Sequence, residues 1–220
     1  MNNILLYGHG GAYNHGAEAI LVTTIDCIRN RVPKIRIGLS THFKEQDIEF
    51  GIDTDEYFTR DEKYVALENI TSHVGLYDAE IYKSTIKAAT SDTLALSVGG
   101  DNYCYGNTEL YKYLNAAYRK NHIKTALWGC SIEPDIVKKV DVADDLKQYG
   151  LIAARESITY DAARAVECNA ILMPDPAFCM KPERCDIDDH VFENEVIGIN
   201  ISPHIMASEH QQGAAYANYK

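Results

Sequence analysis

Short apolar runs alternate with amphipathic stretches along most of this chain. The first apolar run, residues 3–7, is followed by the sequence Gly-His-Gly-Gly, and apolar residues then recur every three to four positions over residues 17–28. A short apolar run predicts a buried strand, and the longer period predicts a helix with one buried face. The order strand, glycine-rich turn, helix is typical of α/β domains that bind a ligand at the carboxyl end of their sheet.

The same alternation continues and predicts an α/β fold with a parallel, doubly wound sheet and right-handed crossovers. Further strands are predicted at 34–40, 94–98, 124–128, 151–154 and 170–173. Helices are predicted at 78–90, 108–121, 142–149 and 157–167. Residues 42–76 are polar and show little periodicity, so we expect loops with short helices there.

The end of the sequence differs in pattern from the rest. We expect one lobe over residues 1–180, an acidic linker over 181–195 and the start of an incomplete second lobe over 196–220. The apolar run 196–202 predicts a strand, either the first strand of that second lobe or an addition to the edge of the first sheet.

Polar or glycine-rich residues recur where one predicted strand after another ends. Because the carboxyl ends of parallel strands lie at one edge of a sheet, these turns predict a ligand cleft at that edge. The first turn has neither the dinucleotide fingerprint, since Tyr13 stands in place of its third glycine, nor the Gly-Lys-Ser/Thr ending of a phosphate loop. The turns in question are 8–16, 99–102, 129–133, 155–157 and Asp175.

Composition narrows the range of functions. The chain has 220 residues, of which 32 are acidic and 21 are basic, for a net charge of −11. Such a surface repels nucleic acid and anionic membranes, so neither is expected as a partner. No residues resemble a signal peptide and no apolar run is long enough to span a bilayer, which predicts a cytoplasmic protein.

The cysteines and carboxylates do not predict a metal centre or a cofactor. The six cysteines form no Cys-x-x-Cys pair, and Cys27 and Cys130 are predicted to be buried, reduced thiols. The acidic residues of 42–76, among them Asp47 and Asp53, are predicted to form a solvated face.

Several motifs, in this order, resemble the polysaccharide pyruvyl transferase family. The chain has Ala17 where the family's early motif has Asp, and Glu133 where its Gly-x-Ser-Ile-Gly-Pro motif has Gly. The likeness spans nearly the whole chain. The matching segments are 14–20, 99–101, 129–134, 155–157 with 174–178, and 198–202.

The resemblance implies a Rossmann-like lobe of a two-lobed fold similar to that of B-type glycosyltransferases. It also implies transfer of a pyruvyl unit from phosphoenolpyruvate to two hydroxyls of a polysaccharide sugar, as a ketal. In the family the basic segment that handles the donor lies in the second lobe. We therefore expect this chain to be incomplete and inactive alone, or to be a fragment of a longer protein. A complementary second lobe or a second copy of the chain is the macromolecular partner that this expectation suggests.

Under this reading the candidate catalytic residues are Glu18 and Asp101, which would meet sugar hydroxyls. Structural alternatives remain: Glu18 complementing a helix dipole, Asp101 capping a helix, and Arg155 pairing with Asp175. His9 and His15 are either proton shuttles or surface or capping residues. The candidate substrate-binding residues are Gly10, Gly11, Asn14, His15, Gly16, Gly99, Gly100, Ser131, Arg155 and Ser157.

Two other functions stay open at this point. A nucleotide-sugar glycosyltransferase lobe would have a similar shape and would bind its nucleotide mainly through a second lobe. A non-catalytic module that pairs with a separate second half would need no active site of its own.

Overall fold

A parallel seven-stranded sheet forms the centre of the protein, as the sequence predicts. The structure is a computed structural model, and it describes residues 2–72, 74–105, 108–182, 189–193 and 195–199. The strand order is β3-β2-β1-β4-β5-β6-β7, and every neighbouring pair is parallel. The strands are β1 (Asn3–His9), β2 (Arg36–Thr41), β3 (Glu56–Thr59), β4 (Thr93–Ser97), β5 (Lys124–Cys130), β6 (Leu151–Ala154) and β7 (Ala170–Leu172).

Helices connect successive strands, which makes the fold the doubly wound α/β class. Three details differ from the prediction: β3 lies in the segment predicted to be loops, the helix predicted at 78–90 is divided at Tyr82, and a short helix at Pro134–Val137 was not predicted. The helices are α1 (His15–Arg31), α2 (Lys44–Glu49), α3 (Glu62–Thr71), α4 (Asp78–Ile81), α5 (Lys83–Ala88), α6 (Glu109–Lys120), α7 (Pro134–Val137), α8 (Val140–Leu146) and α9 (Ser157–Ala165).

The central strands β1, β4, β5 and β6 are mostly buried on both faces of the sheet. On one face Leu6 of β1 and Leu96 of β4 pack against Leu21 and Ile25 of α1. On the other face the helices α4 and α6–α9 cover the strands. The first face is less completely covered: a cavity of about 580 Å³ there is lined by apolar residues of β1, β4, β5 and β6, with Trp128 among them.

The chain divides into two compact units, Met1–Met180 and Lys181–Lys220. The first contains the whole sheet. In the second, the structure describes a 3-10 turn at Asp189–Phe192 and the segment 195–199, which has no regular secondary structure. The strand predicted at 196–202 is therefore absent from its described part, and its last residues lie outside the described residues. Within the described chain, no helix combines the length and apolar character needed to cross a bilayer.

Candidate functional site

The predicted turns do share one edge of the sheet. Strands β1, β4, β5, β6 and β7 are neighbours in that order and all point the same way, so the turns that follow them lie side by side. Hydrogen bonds connect adjacent turns: the N–H of Ser131 donates to the carbonyl of Gly100 at 2.6 Å, and the N–H of Arg155 donates to the carbonyl of Cys130 at 3.1 Å. We call this row of turns the carboxyl rim.

The most crowded part of the carboxyl rim lies between β1 and β4, where the direction of strand addition reverses. Gly8 and Gly99 approach each other so closely that a Cβ on Gly99 would lie 2.3 Å from the Gly8 carbonyl oxygen. The side chain of Asn102 is buried beside both glycines, and its amide donates to Ser97 Oγ at 2.7 Å. In open α/β sheets this reversal point is where a crevice for ligands forms.

Helix α1 begins at the carboxyl rim, and its N-cap is Asn14. The Asn14 carboxamide oxygen accepts hydrogen bonds from the N–H groups of Gly16 and Ala17, at 3.1 and 3.2 Å. These donors are thus already bonded, and an anion at this helix start would have to displace the cap. In the first turn His15 Nδ1 lies 2.8 Å from Glu18 Oε2, with the histidine exposed and the carboxylate largely covered.

A chain of polar contacts runs from Gly100 to Asp175 across the ends of β4 to β7. Arg155 Nε donates to Ser131 Oγ at 2.8 Å, and Nη1 donates to Asp175 Oδ2 at 3.0 Å. Gly100 has a φ of +74°, and a Cβ there would lie 3.0 Å from Arg155 Nη1. The sequence left two roles open for Arg155, substrate binding and pairing with Asp175. The structure shows the pairing with Asp175.

The remaining candidates differ in their surroundings. Asp101 is exposed, and no described residue donates a side-chain or backbone hydrogen bond to its carboxylate; it does not cap α6, whose N-cap is Thr108. Gly10 faces open space, whereas Gly11 has a φ of +108° and lies against Gln46 and Phe43 of the α2 region. Ser157 is exposed at the start of α9, and no described hydrogen bond joins its side chain to Arg155.

A buried histidine–carboxylate pair lies beneath the turn after β1. His9 Nε2 is 2.9 Å from Asp47 Oδ1, and both side chains are fully buried. This corrects two expectations, since Asp47 is no part of a solvated face and His9 is not a surface residue. The pair joins β1 to α2, and sequence periodicity could not reveal it because the two residues are 38 positions apart.

His42, which follows β2, is a second histidine in this corner of the molecule. Its Nε2 lies 3.1 Å from the Tyr82 hydroxyl. Burial, the Arg60 guanidinium and the neighbouring His9 lower the pKa of His42 from 6.5 to about 4. His42 is therefore neutral in the folded protein at neutral pH.

This depressed pKa predicts an acid-sensitive fold. As pH falls below about 6.5 the unfolded chain binds a proton at His42 before the folded chain does, so stability is lost until pH reaches about 4. The loss amounts to about 3 kcal/mol. Urea unfolding at several pH values should show a shallower pH dependence in His42→Gln than in the native protein. Equal slopes in His42→Gln and in the native protein would contradict the assignment.

The fold and the carboxyl rim define a Rossmann-like α/β protein with polar and glycine-rich turns gathered at the carboxyl ends of its strands. Residues 14–211 match the sequence model of the polysaccharide pyruvyl transferase family. Because that match covers most of the chain, the protein belongs to the polysaccharide pyruvyl transferase family.

Comparison with other proteins adds little beyond the family. No curated protein sequence matches the chain. Among solved structures, the chain is similar to a putative UDP-N-acetylglucosamine 2-epimerase from Listeria monocytogenes, with 11% sequence identity and a TM-score of 0.42. The similarity covers 74% of this chain and 41% of the epimerase chain.

Proposed function

We propose that the carboxyl rim is the sugar-acceptor side of a pyruvyl transferase, which transfers a pyruvyl group from phosphoenolpyruvate to a polysaccharide sugar. The family match over residues 14–211 is the observation that carries this proposal. The rim supports it because it gathers carboxylates, hydroxyls and an arginine at the edge where α/β sheets bind their ligands.

The reaction needs a proton acceptor and a proton donor. One sugar hydroxyl attacks C2 of phosphoenolpyruvate, C3 takes up a proton and inorganic phosphate leaves. Addition of the second hydroxyl to the same carbon completes the ketal, so that one donor and one diol give one ketal and one phosphate. A carboxylate at the attacking hydroxyl would accept its proton, and cationic groups would stabilise the phosphate.

Asp101 is our candidate for the carboxylate that meets the acceptor. It directly follows the crowded Gly99–Gly100 turn, and its exposed carboxylate has no hydrogen-bond donor among the described residues. Glu18 is the second candidate, but its Oε2 is engaged with His15. A sugar hydroxyl could replace His15 as the partner of Glu18, since the imidazole is exposed.

Arg155 has a positioning role in this proposal. Its Nε and Nη1 are bound to Ser131 and Asp175, so the guanidinium holds the ends of β5, β6 and β7 in register. The opposite charge of Asp175 beside it also weakens its attraction for a substrate anion. Phosphate recognition would then rest mainly on other cations.

The proposal takes this chain itself to be active, in contrast to the expectation from the resemblance that it is inactive alone. It is tested by following phosphate release from phosphoenolpyruvate in the presence of hexosides that have two free hydroxyls. We expect release to depend on the acceptor, and Asp101→Asn to lower it by roughly 100-fold, the usual effect of removing a general base. Unfolding free energy should be unchanged, because the Asp101 side chain is exposed.

A matched control is Asp26→Asn, which removes another exposed carboxylate from the middle of α1. This variant should retain native activity. Phosphate release that is the same without acceptor, or in Asp101→Asn, would contradict the assignment of the rim as the acceptor side.

A further inference from the structure

Two cysteines that lie far apart in the sequence are neighbours on the surface. Cys27 is in the second half of α1, and Cys179 ends the 3-10 turn Pro176–Cys179 that follows β7. The turn packs against α1, which brings the Cys179 thiol close enough to influence the Cys27 thiol electrostatically. Both residues are exposed, which corrects the expectation that Cys27 is buried.

We propose that Cys27 and Cys179 are a dithiol site at which low-molecular-weight disulfides, such as glutathione disulfide, introduce a reversible protein disulfide. The proposal is independent of the transfer reaction. It rests on the contact between α1 and the turn and on the exposure of both cysteine residues.

The chemistry requires one disulfide as oxidant. The thiolate of one cysteine attacks a sulfur of glutathione disulfide, forming a mixed disulfide and releasing one glutathione thiolate. The second cysteine then attacks the protein-bound sulfur and releases the second glutathione. Two protein thiols become one disulfide, glutathione disulfide is reduced to two glutathione molecules, and the two protons end on those molecules.

The other described cysteines are poorly placed for this reaction. Cys130 is buried, and burial raises the pKa of its thiol to about 12. Cys168 is also buried, and the half-buried Cys104 donates to the carbonyl of Ser131. An oxidant in solution therefore meets Cys27 and Cys179 first among the described thiols.

Alkaline conditions should favour the first step. Burial and then the neighbouring Cys179 raise the pKa of the Cys27 thiol, so its thiolate is scarce at neutral pH. Bridge formation should therefore accelerate as pH increases through the mildly alkaline range.

The bridge would restrain the carboxyl rim. Helix α1 begins after the Asn14 cap, and the turn that ends at Cys179 is capped by Asp175, the partner of Arg155. A covalent bond between Cys27 and Cys179 would join α1, which starts at the first turn of the carboxyl rim, to the 3-10 turn that follows β7 at the other end of the rim.

The test is to incubate the full chain with glutathione disulfide and to map peptides by mass spectrometry without reduction. We expect one linked pair that contains Cys27 and Cys179, with the loss of two hydrogens. Tm should rise by roughly 5 to 10 °C, because the bridge closes a very long loop of the unfolded chain. A reducing agent should reverse both changes.

Single variants identify the partners. Cys27→Ser and Cys179→Ser should each abolish the linked pair and the rise in Tm, whereas Cys104→Ser and Cys185→Ser should retain both. Stable glutathione adducts on both cysteines without a bridge would overturn the proposal. So would a bridge to any other cysteine, or a bridge that lowers Tm and thus forms only by distorting the fold.

Discussion

Replacing Gly99 by alanine is expected to lower the free energy of unfolding by about 3 kcal/mol, at the upper end of the usual cost of overpacking. The new Cβ would lie 1.9 Å from Asn102 Oδ1 and 2.3 Å from the Gly8 carbonyl oxygen. Neither neighbour can move freely. Asn102 is buried and bonded to Ser97, and Gly8 is held near the end of β1 with a φ of +81°. Urea denaturation of the variant measures the effect.

Gly10→Ala is the matched control, since no atom lies within 4 Å of a Cβ at that position and its φ is not positive. We expect its unfolding free energy to change by less than about 0.5 kcal/mol, as at ordinary surface positions. If Gly99→Ala were as stable as Gly10→Ala, the close contact between the β1 and β4 turns would be refuted.

Most of the fold could be predicted because it depends on local patterns. Six of the strands are short apolar runs between turns, and each appears at or within a few residues of its predicted position. The exception is β3, which has a charged residue at its start and lies at the edge of the sheet. Its Phe58 packs over Gly38 of β2, so the strand is stabilised by a neighbour that no local pattern reveals.

The site was predictable to the extent that it follows from sheet topology. Parallel strands necessarily bring the turns around Gly99, Ser131 and Arg155 to one edge, so their proximity needed only the correct strand assignment. The functions of individual residues did not follow in this way. The Asn14 cap occupies the N–H groups that could bind an anion, and Asp175 engages the arginine.

Contacts between side chains that lie far apart in the sequence could not be predicted from the local pattern of polar and apolar residues. Asp47 occurs in a polar stretch whose other residues are mostly exposed or half-buried, and its burial depends on α2 packing beneath the turn that contains Gly11. Cys27 is the opposite case, because its sequence context predicts burial and the structure shows it exposed. It sits among apolar residues in the sequence, but its position on α1 turns it away from the sheet and towards the turn at Cys179.

Asp47→Ala should be the most damaging single change in the corner between β1 and β2. It removes the partner of a fully buried histidine and leaves His9 Nε2 without its hydrogen bond. The other ring nitrogen, Nδ1, is already buried without a partner among the described residues, so the whole imidazole would be unsatisfied. We expect a loss of about 3 kcal/mol in unfolding free energy, the usual cost of breaking a buried pair.

Two further variants distinguish the loss of the His9–Asp47 hydrogen bond from the general effect of removing a carboxylate. Asp47→Asn keeps an oxygen that can accept from His9, so it should restore more than half of the lost stability. Asp53→Ala removes a mostly exposed carboxylate that is paired with Arg29, and should cost less than about 1 kcal/mol. Equal losses in Asp47→Ala and Asp47→Asn would mean that His9 needs the negative charge and not merely an acceptor. A loss in Asp47→Ala as small as that in Asp53→Ala would contradict the burial of the pair.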